Sequence, residues 1–400
     1  MKKMLMATTA AALVATGAFA DGHAKEVKIG IHFGFTGPIE SLTGHMADGA
    51  ELAIKEVSDS GMLLDGMKVS GMRVDSGCID NGLAVSNAER LIADGVAGIV
   101  GSDCSGVTGA VLQNVAIPNG MVMISPSATS PGLTTMEDNG LFFRTSPSDA
   151  REGEVMAEIL MERGIKSIAM TYTNNDYGKG LADSIESAYG ALGGELTISA
   201  AHEDGKADYS SEVASLASAG GDVLIVVGYV DQGGKGVMQA SLDTGAFDTF
   251  VLSDGMIGSS LTDALGDAID GTFGTVPGSD SPGAATMTEM AEAAGFSEGG
   301  ELGPYVGESY DAAALIMLAM QAAKSTDSGD FAGKINELAN APGEQIFPGE
   351  LAKALEILAE GGEIDYEGAS AVELNDGGET LGAYREVLIE GGEMTTAKYH

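Results

Sequence analysis

The sequence predicts an α/β protein with two parallel sheets, each wrapped by helices, and a cleft between the two lobes. Short apolar segments alternate with longer amphipathic segments, which is the pattern of a parallel sheet covered by helices. This alternation is interrupted at residues 142–147 and then begins a second time. The chain after its first twenty residues is also too long for one core, because cores tend to split above about 250–300 residues.

The first cycle opens with a strand and a helix and ends in two strand-and-loop units. Its predicted elements are a strand at 27–33, a helix at about 42–58, a strand at 67–74, a helix at 84–94, and strand-and-loop units at 96–108 and 121–131. In each of those two units a short apolar run without polar alternation indicates a strand buried on both faces.

The second cycle repeats this order and is followed by a return to the first lobe. Its predicted elements are a helix at 149–163, a strand at 167–172, a loop at 173–178, a helix at 179–193, strands at 195–201 and 222–227 around a helix at 209–219, and further units at 250–254 and 271–276. We expect residues 277–303 to form a crossover or surface loop before a long helix at 307–324. An extra helix at 348–359 and a final strand at 383–389 follow, and residues from about 392 are predicted to be frayed.

The first twenty residues have the composition of an export signal. Lys2 and Lys3 precede a mostly apolar run at 5–17, and Ala18-Phe19-Ala20 fits a small-x-small cleavage site. We therefore expect cleavage near Ala20 and a soluble periplasmic protein. Without the two lysines the formal net charge falls from −39 to −41, and such a field repels nucleic acid and anionic membranes.

The two cysteines, Cys78 and Cys104, both lie in the exported part of the chain. In an oxidising compartment they most simply pair with each other. A shared metal site is the alternative, but the two cysteines lack the nearby histidines that such a site usually adds.

The loops that follow the strands near 100 and 124 are candidates for ligand binding. Both are rich in Ser, Thr, Gly and Pro and precede helix-like sequence. Free N–H groups at helix N-termini can grip a small anion, and open α/β sheets bind ligands at this edge. The chain is therefore predicted to hold a small polar molecule.

An enzyme is disfavoured by the scatter of the histidines. The five are His23, His32, His45, His202 and His400, and none stands in a recognisable nucleophile–base arrangement. The glycines at 228–236 match neither the dinucleotide-binding nor the P-loop spacing. We expect no catalysis, no cofactor and no metal.

A series of short motifs gives the chain a resemblance to a known family. In order they are Gly37-Pro38, Cys78, Cys104-Ser105, Ile124-Ser125-Pro126, Ala128-Thr129, Asp176-Tyr177-Gly178 and Gly228-Tyr229. This series resembles the leucine/isoleucine/valine-binding proteins, periplasmic substrate-binding proteins of ABC transporters with the type I fold, over about residues 27–390. The resemblance implies two lobes joined by three hinge segments that close over a ligand like a clamshell. It places the N-terminal lobe at 27–145 plus 277–375 and the C-terminal lobe at 146–276 plus 376–400.

The resemblance also implies a function and a set of ligand-binding residues. The protein would be a monomer that captures a small branched-chain or other aliphatic amino acid and delivers it to an ABC-transporter permease. Ser105 would meet the ligand carboxylate, and Ser127, Ala128 and Thr129 would share the carboxylate and ammonium. Tyr177 and Tyr229 would close over the ligand, Asp254 would accept from the ammonium, and Tyr305 lies near an aromatic position of the family. Leu42 stands where an aromatic residue would line the side-chain pocket, which leaves the identity of the ligand open.

Simpler roles for these residues remain open at this stage. Ser105 and Thr129 are also suited to cap helices, Asp254 to cap a turn, and the two tyrosines to pack on the surface. The ligand could instead be an amide, a urea-type compound or an aromatic acid, and the protein could serve as a periplasmic receptor for sensing.

Overall fold

The computed structural model describes residues 26–297 and 301–400, so the predicted export signal at residues 1–20 lies outside the described residues. The described strands are β1 (Glu26–Phe33), β2 (Lys68–Asp75), β3 (Gly98–Gly101), β4 (Met123–Ser125), β5 (Phe142–Pro147), β6 (Ser167–Thr173), β7 (Glu195–His202), β8 (Val223–Val227), β9 (Phe250–Leu252), β10 (Phe273–Pro277), β11 (Glu344–Ile346), β12 (Ile364–Tyr366), β13 (Glu379–Thr380), β14 (Tyr384–Glu390) and β15 (Glu393–Tyr399).

Helices fill the connections between these strands. They are α1 (Glu40–Ser60), α2 (Asn81–Ala93), α3 (Ser105–Val111), α4 (Ile117–Asn119), α5 (Pro131–Thr134), α6 (Asp149–Glu162), α7 (Asp176–Ala191), α8 (Ser210–Ala219), α9 (Gly233–Thr244), α10 (Ser259–Leu265), α11 (Pro282–Ala294), α12 (Val306–Ala323), α13 (Ser328–Phe331), α14 (Ile335–Leu338) and α15 (Leu351–Ala359). Over residues 26–297 and 301–400, none of the helices combines the length and the apolar character that crossing a bilayer requires.

The first sheet has the strand order β13–β5–β4–β3–β1–β2 with all strands parallel. Its central strands β3 and β4 are buried along their whole length, as expected when helices cover both faces of a parallel sheet. The long helix α12 packs against α1 and against β3, β4 and β5. The predicted return of the chain to this lobe is therefore confirmed. We call this sheet and its helices the first lobe.

The second sheet has the strand order β15–β14–β10–β9–β8–β6–β7. Strands β6 to β10 of this sheet are parallel, whereas β14 pairs antiparallel with β10 and β15 pairs antiparallel with β14. We call this sheet and its helices the second lobe. The chain passes between the sheets three times, after Pro147, after Pro277, and between Thr380 and Tyr384. This arrangement confirms the predicted fold class of two doubly wound lobes joined by three segments.

Three local predictions are wrong. Residues 277–303 are not simply a loop, because Pro282–Ala294 forms α11, whose start is capped by the Ser281 hydroxyl accepting from Ala284 N–H. The end of the chain is not frayed, since Glu393–Tyr399 pairs with β14 as an edge strand. The loop predicted at 173–178 ends earlier, because the Asn175 side chain accepts from the Gly178 N–H and starts α7 at Asp176.

Candidate functional site

Ser105 lies at the start of α3, directly after the strand end of β3. Its hydroxyl accepts a hydrogen bond from the Ser130 N–H at 3.1 Å, so it ties the first strand-end loop to the second. The preceding residue, Cys104, forms a disulfide with Cys78, as predicted. The disulfide links the turn that carries Ser105 with the loop that follows β2.

The second loop, residues 126–130, is held from inside the first lobe. The Ser125 hydroxyl accepts from the Ala128 N–H at 3.0 Å, and the Arg144 guanidinium donates to the carbonyls of Ala128 and Ser130 at 3.1 Å each. Ser127 donates its hydroxyl to the Asp103 carbonyl at 3.0 Å. The backbone groups of Ala128 are therefore already used within the lobe.

Tyr177 and Tyr229 form the second-lobe wall of the cleft. Their rings stack with centroids 5.2 Å apart at an angle of 22°. Tyr177 lies in the first turn of α7 and Tyr229 follows β8, so both belong to the carboxyl edge of the second sheet. Both side chains are almost fully buried, at about 4% exposure, so the alternative that the two tyrosines pack on the protein surface is wrong.

Asp254 follows β9 and lies at the bottom of the space between the lobes. One carboxylate oxygen accepts from the Tyr177 hydroxyl and from the Gly255 N–H, and the other accepts from the Tyr305 hydroxyl. Tyr305 precedes α12 of the first lobe, so its bond to Asp254 crosses the cleft. At Asp254 the two lobes are therefore in contact through a charged group.

The electrostatics of this contact keep the tyrosines as donors. Burial raises the pKa of the Tyr177 and Tyr305 hydroxyls well above the ordinary value, so both retain their protons. Burial also raises the pKa of the Asp254 carboxyl, while the bonds from Tyr177 and Tyr305 act in the opposite direction. The site thus holds a carboxylate whose charge is stabilised by neutral hydroxyls and one backbone N–H.

A small cavity of about 20 Å³ lies between the two walls. Seven of the predicted ligand residues line it: Leu42, Ser105, Ser127, Tyr177, Tyr229, Asp254 and Tyr305. Ala128 and Thr129, which follow Ser127 in the same loop, are buried and do not line the cavity. Larger cavities exist elsewhere among the described residues, so the convergence of polar groups, rather than volume, marks this space.

Some lining and neighbouring residues escaped the sequence analysis. Asp103 and Ile39 also line the cavity, and Asp103 is buried with its carboxylate accepting from the Gly34 N–H and the Ser76 hydroxyl. Asp149 and Glu152 lie close to Asp254 in space, although they are in the first turns of α6. Two acids at the start of a helix are typical of an exposed N-terminus, so the sequence carried no signal for their burial.

Comparison with known proteins places this geometry in a family. A family model described as periplasmic binding protein matches residues 26–353. The Leu/Ile/Val-binding protein homolog 1 of Brucella melitensis is 32% identical over 343 residues, which cover 84% of this chain and 89% of the relative. The chain belongs to the Leu/Ile/Val-binding protein family. The resemblance seen in the sequence is thereby confirmed, and the relatives of this chain are solute-binding proteins rather than enzymes.

Other members of the family differ in the ligands that their names record. The leucine-, isoleucine-, valine-, threonine-, and alanine-binding protein of Pseudomonas aeruginosa is 28% identical over 255 residues, covering 64% of this chain and 67% of the relative. Among solved structures, the leucine-binding protein LivK of Thermotoga maritima has a TM-score of 0.79 at 21% identity, covering 93% of this chain and 98% of its own.

Two further solved structures share the fold and contain different ligands. The substrate-binding protein LivJ of Streptococcus pneumoniae, in complex with isoleucine, has a TM-score of 0.77 at 22% identity, covering 94% of this chain and 99% of its own. A solute-binding protein from R. palustris, in complex with benzoate, has a TM-score of 0.74 at 18% identity, covering 94% of this chain and 96% of its own. At these identities the fold is shared, and the fold alone accommodates both ligand classes.

Proposed function

We propose that this protein is an exported solute-binding protein that captures a small aliphatic amino acid between its lobes. It would deliver the amino acid to the permease of an ABC transporter and would have no catalytic activity. The names of the relatives that bind leucine, isoleucine and valine support this ligand class. In this proposal the signal is cleaved near Ala20, and the protein acts in the periplasm as a monomer.

The observation that carries the proposal is the placement of donors and acceptor on opposite lobes. Ser105 presents its hydroxyl from the first lobe with its hydrogen available, because that hydroxyl only accepts from Ser130, and the Asp254 carboxylate lines the cavity from the second lobe. A zwitterion needs donors for its carboxylate and an acceptor for its ammonium, and charge-assisted hydrogen bonds supply both. Only the closed form satisfies both ends, so the ligand would shift the equilibrium toward closure.

A second candidate ligand is an aromatic or other acid without an ammonium. Such a ligand would be disfavoured if it left the buried Asp254 carboxylate without a partner, because an unpaired buried charge is costly. Asp254 already accepts from Tyr177, Tyr305 and Gly255, so its charge does not depend on a ligand ammonium. The stacked tyrosine pair also offers an aromatic wall. The R. palustris relative in complex with benzoate makes this class worth testing.

The deciding experiment is a binding screen on chain 21–400 freed of bound ligand by unfolding and refolding. Calorimetry and thermal shift would be measured with leucine, isoleucine, valine, leucinamide, urea, benzoate and 4-hydroxybenzoate. A ligand at a hundred times its Kd stabilises by about 2.7 kcal/mol, which is easily detected. We expect a response to the aliphatic amino acids and a weaker one to leucinamide, which lacks the carboxylate.

Two variants assign the role of Asp254. Asp254→Asn should abolish amino acid binding, because the neutral amide does not pair with an ammonium. Asp204→Asn is the matched control, since Asp204 lies in the same lobe, accepts from Thr173 and Gly233, and does not line the cavity. A response confined to benzoates, retained in Asp254→Asn, would replace the amino acid by an aromatic acid and leave the transport role in place.

A further inference from the structure

Three carboxylates converge behind the floor of the cleft. Asp149, Glu152 and Asp254 each place an oxygen within 4.8 Å of the others. All three side chains are at most 1% exposed. Asp149 and Glu152 enter from the start of α6, just after the chain first crosses between the lobes, and Asp254 enters from the end of β9.

Several oxygen atoms of this cluster lack any hydrogen-bond partner. They are both carboxylate oxygens of Asp149, Oε2 of Glu152 and the hydroxyl oxygen of Thr129. The other Glu152 oxygen accepts from the Asp254 N–H at 3.0 Å and from the Thr275 hydroxyl at 2.7 Å. Thr129 is a second sign, because its neutral side chain is 1% exposed and its hydroxyl oxygen has no hydrogen-bond partner within the described residues. Buried polar atoms are nearly always paired, so this set needs an explanation.

Asp311 is a buried carboxylate of this chain whose hydrogen bonds are all supplied by the protein, and it serves as a comparison for Asp149. It is fully buried in α12 and accepts from the Tyr366 hydroxyl, the Ala369 N–H, and both the N–H and hydroxyl of Ser370. Asp149 is equally buried and accepts from none. The contrast indicates that the Asp149 oxygens are arranged for a partner that the protein itself does not supply.

The charge of the cluster is not balanced by the nearest cation. Arg144 acts on Asp149, but its guanidinium pairs with Glu379 and donates to the carbonyls of Ala128 and Ser130. The N-terminus of α6 offers only a partial positive charge. Three buried acids with oxygens within 4.8 Å of one another therefore form a place where a cation would supply the missing balance.

We propose that Asp149, Glu152 and the Thr129 hydroxyl, with Asp254 at the edge, form a binding site for a hard metal cation such as Ca²⁺. The donor set consists of carboxylate and hydroxyl oxygens, which are the ligands that Ca²⁺ takes, and it offers no nitrogen or sulfur that would favour zinc or copper. Thr129 belongs to the first lobe and Asp254 to the second, so an ion held here bridges the lobes at the hinge end of the cleft. This site goes beyond the proposed amino acid binding and does not depend on it.

The test is calcium titration of the full chain after refolding in chelator, followed by calorimetry and thermal shift. We expect one saturable site whose occupancy raises the melting temperature. Terbium gives a second readout, since the chain has no Trp and the nearby Tyr177 and Tyr305 would sensitise its emission. Magnesium, and choline chloride at matched ionic strength, separate a specific site from screening of the acidic surface.

Glu152→Gln and Asp149→Asn should each weaken calcium binding by more than about tenfold, as expected for loss of a ligand. Without calcium these variants should melt at least as high as the wild type, because each replaces a buried acid by an uncharged amide of similar shape. With calcium the wild type should melt at the higher temperature. Asp311→Asn, the matched buried control, should lower the melting temperature in both conditions and leave calcium affinity unchanged.

The outcomes distinguish this site from the amino acid site. Failure of calcium and terbium to bind, or binding that is unaltered in Glu152→Gln and Asp149→Asn, overturns the metal proposal. If calcium does not bind and Glu152→Gln weakens leucine binding, the cation is the ligand ammonium, so the metal proposal fails and the proposed function stands. If calcium binds as described and no amino acid does, the metal site stands and the proposed function fails.

Discussion

Arg144 is the residue that fixes the shape of the first-lobe ligand loop. Its side chain is 1% exposed, and it donates to the carbonyls of Ala128 and Ser130 and pairs with Glu379. The backbone conformation of residues 126–130 is fixed because these two carbonyls accept hydrogen bonds from inside the lobe. Loss of the guanidinium would remove a donor from the Ala128 carbonyl, the Ser130 carbonyl and the Glu379 carboxylate, although Ser130 keeps the Leu133 N–H and Glu379 keeps the Thr134 hydroxyl.

We expect Arg144→Met to lower the free energy of unfolding by about 3–5 kcal/mol, since it removes the fully buried guanidinium of an ion pair whose carboxylate side chain is 15% exposed. Arg73→Met is the control, because Arg73 pairs with Asp48 and Glu51 at a partly exposed surface and should cost no more than about 1 kcal/mol. Urea unfolding of both variants measures the difference. Equal losses in the two variants would contradict the role given to Arg144.

At the residue scale, sequence reasoning located most of the residues that line the cavity and missed the two acids that lie behind it. Ser105, Tyr177 and Asp254 were accessible because each follows a predicted strand and matches a family motif. Asp149 and Glu152 were not, since only the tertiary fold brings α6 to a residue about a hundred positions later. Likewise, no feature of the local sequence shows that the Ala128 N–H donates to Ser125 and that the Ala128 carbonyl accepts from Arg144.

Among the elements, α12 shows how a predicted helix can hold an unpredicted charge. Its apolar run made both its existence and its burial predictable, but the run gives no sign that Glu308 in its first turn is 6% exposed. Burial, with a smaller contribution from Asp311 and opposed by Arg385, raises the pKa of Glu308 to about 8. The edge strand β15 was not predicted at all, because its alternating polar residues lack the apolar run that indicates a core strand.

Glu308 makes a prediction about pH. Its folded pKa lies above its unfolded value of 4.5, so the folded protein retains a proton that the unfolded chain releases. Its effect on stability is therefore nil below about pH 4.5, grows more unfavourable as the pH rises to about 8, and then levels off. Glu308→Gln should gain stability over the wild type across this window, by up to a few kcal/mol at roughly 1.4 kcal/mol per pH unit.

The measurement is urea unfolding of wild type and Glu308→Gln at intervals between pH 4.5 and 8. Glu356→Gln on the exposed face of α15 is the control and should follow the wild type throughout. A constant difference between Glu308→Gln and the wild type at every pH would show that Glu308 does not hold its proton in the folded protein.

For the whole molecule, closure depends on contacts that cross the cleft away from the ligand cavity. The Asp231 carboxylate in the second lobe accepts from the Ser41 N–H at the start of α1 at 2.9 Å, and the Asp231 N–H donates to the Pro38 carbonyl at 3.0 Å. On the other side of the cavity the Ser130 hydroxyl donates to the Asp176 carbonyl at 3.0 Å. These bonds exist only while the lobes are together, so they favour the closed form with or without a ligand.

Two-state closure makes the affinity depend on these remote bonds. When only the closed form retains the ligand, the apparent Kd equals the intrinsic Kd divided by the closed fraction. A hydrogen bond to a charged group contributes about 1.5–3 kcal/mol, and 1.4 kcal/mol corresponds to a factor of ten. Asp231→Ala should therefore weaken ligand binding by about tenfold, although Asp231 does not line the cavity.

The same variant should change the shape of the ligand-free protein. We expect Asp231→Ala to have a larger radius of gyration than the wild type by small-angle scattering without ligand, and the same radius at saturating ligand. Asp243→Ala is the matched control, because Asp243 accepts only from Gln239 within its own helix α9 among the contacts described. Its affinity and radius should equal those of the wild type. If Asp231→Ala also matches the wild type in both, closure is driven from the cavity alone, and the contact at Ser41 merely accompanies it.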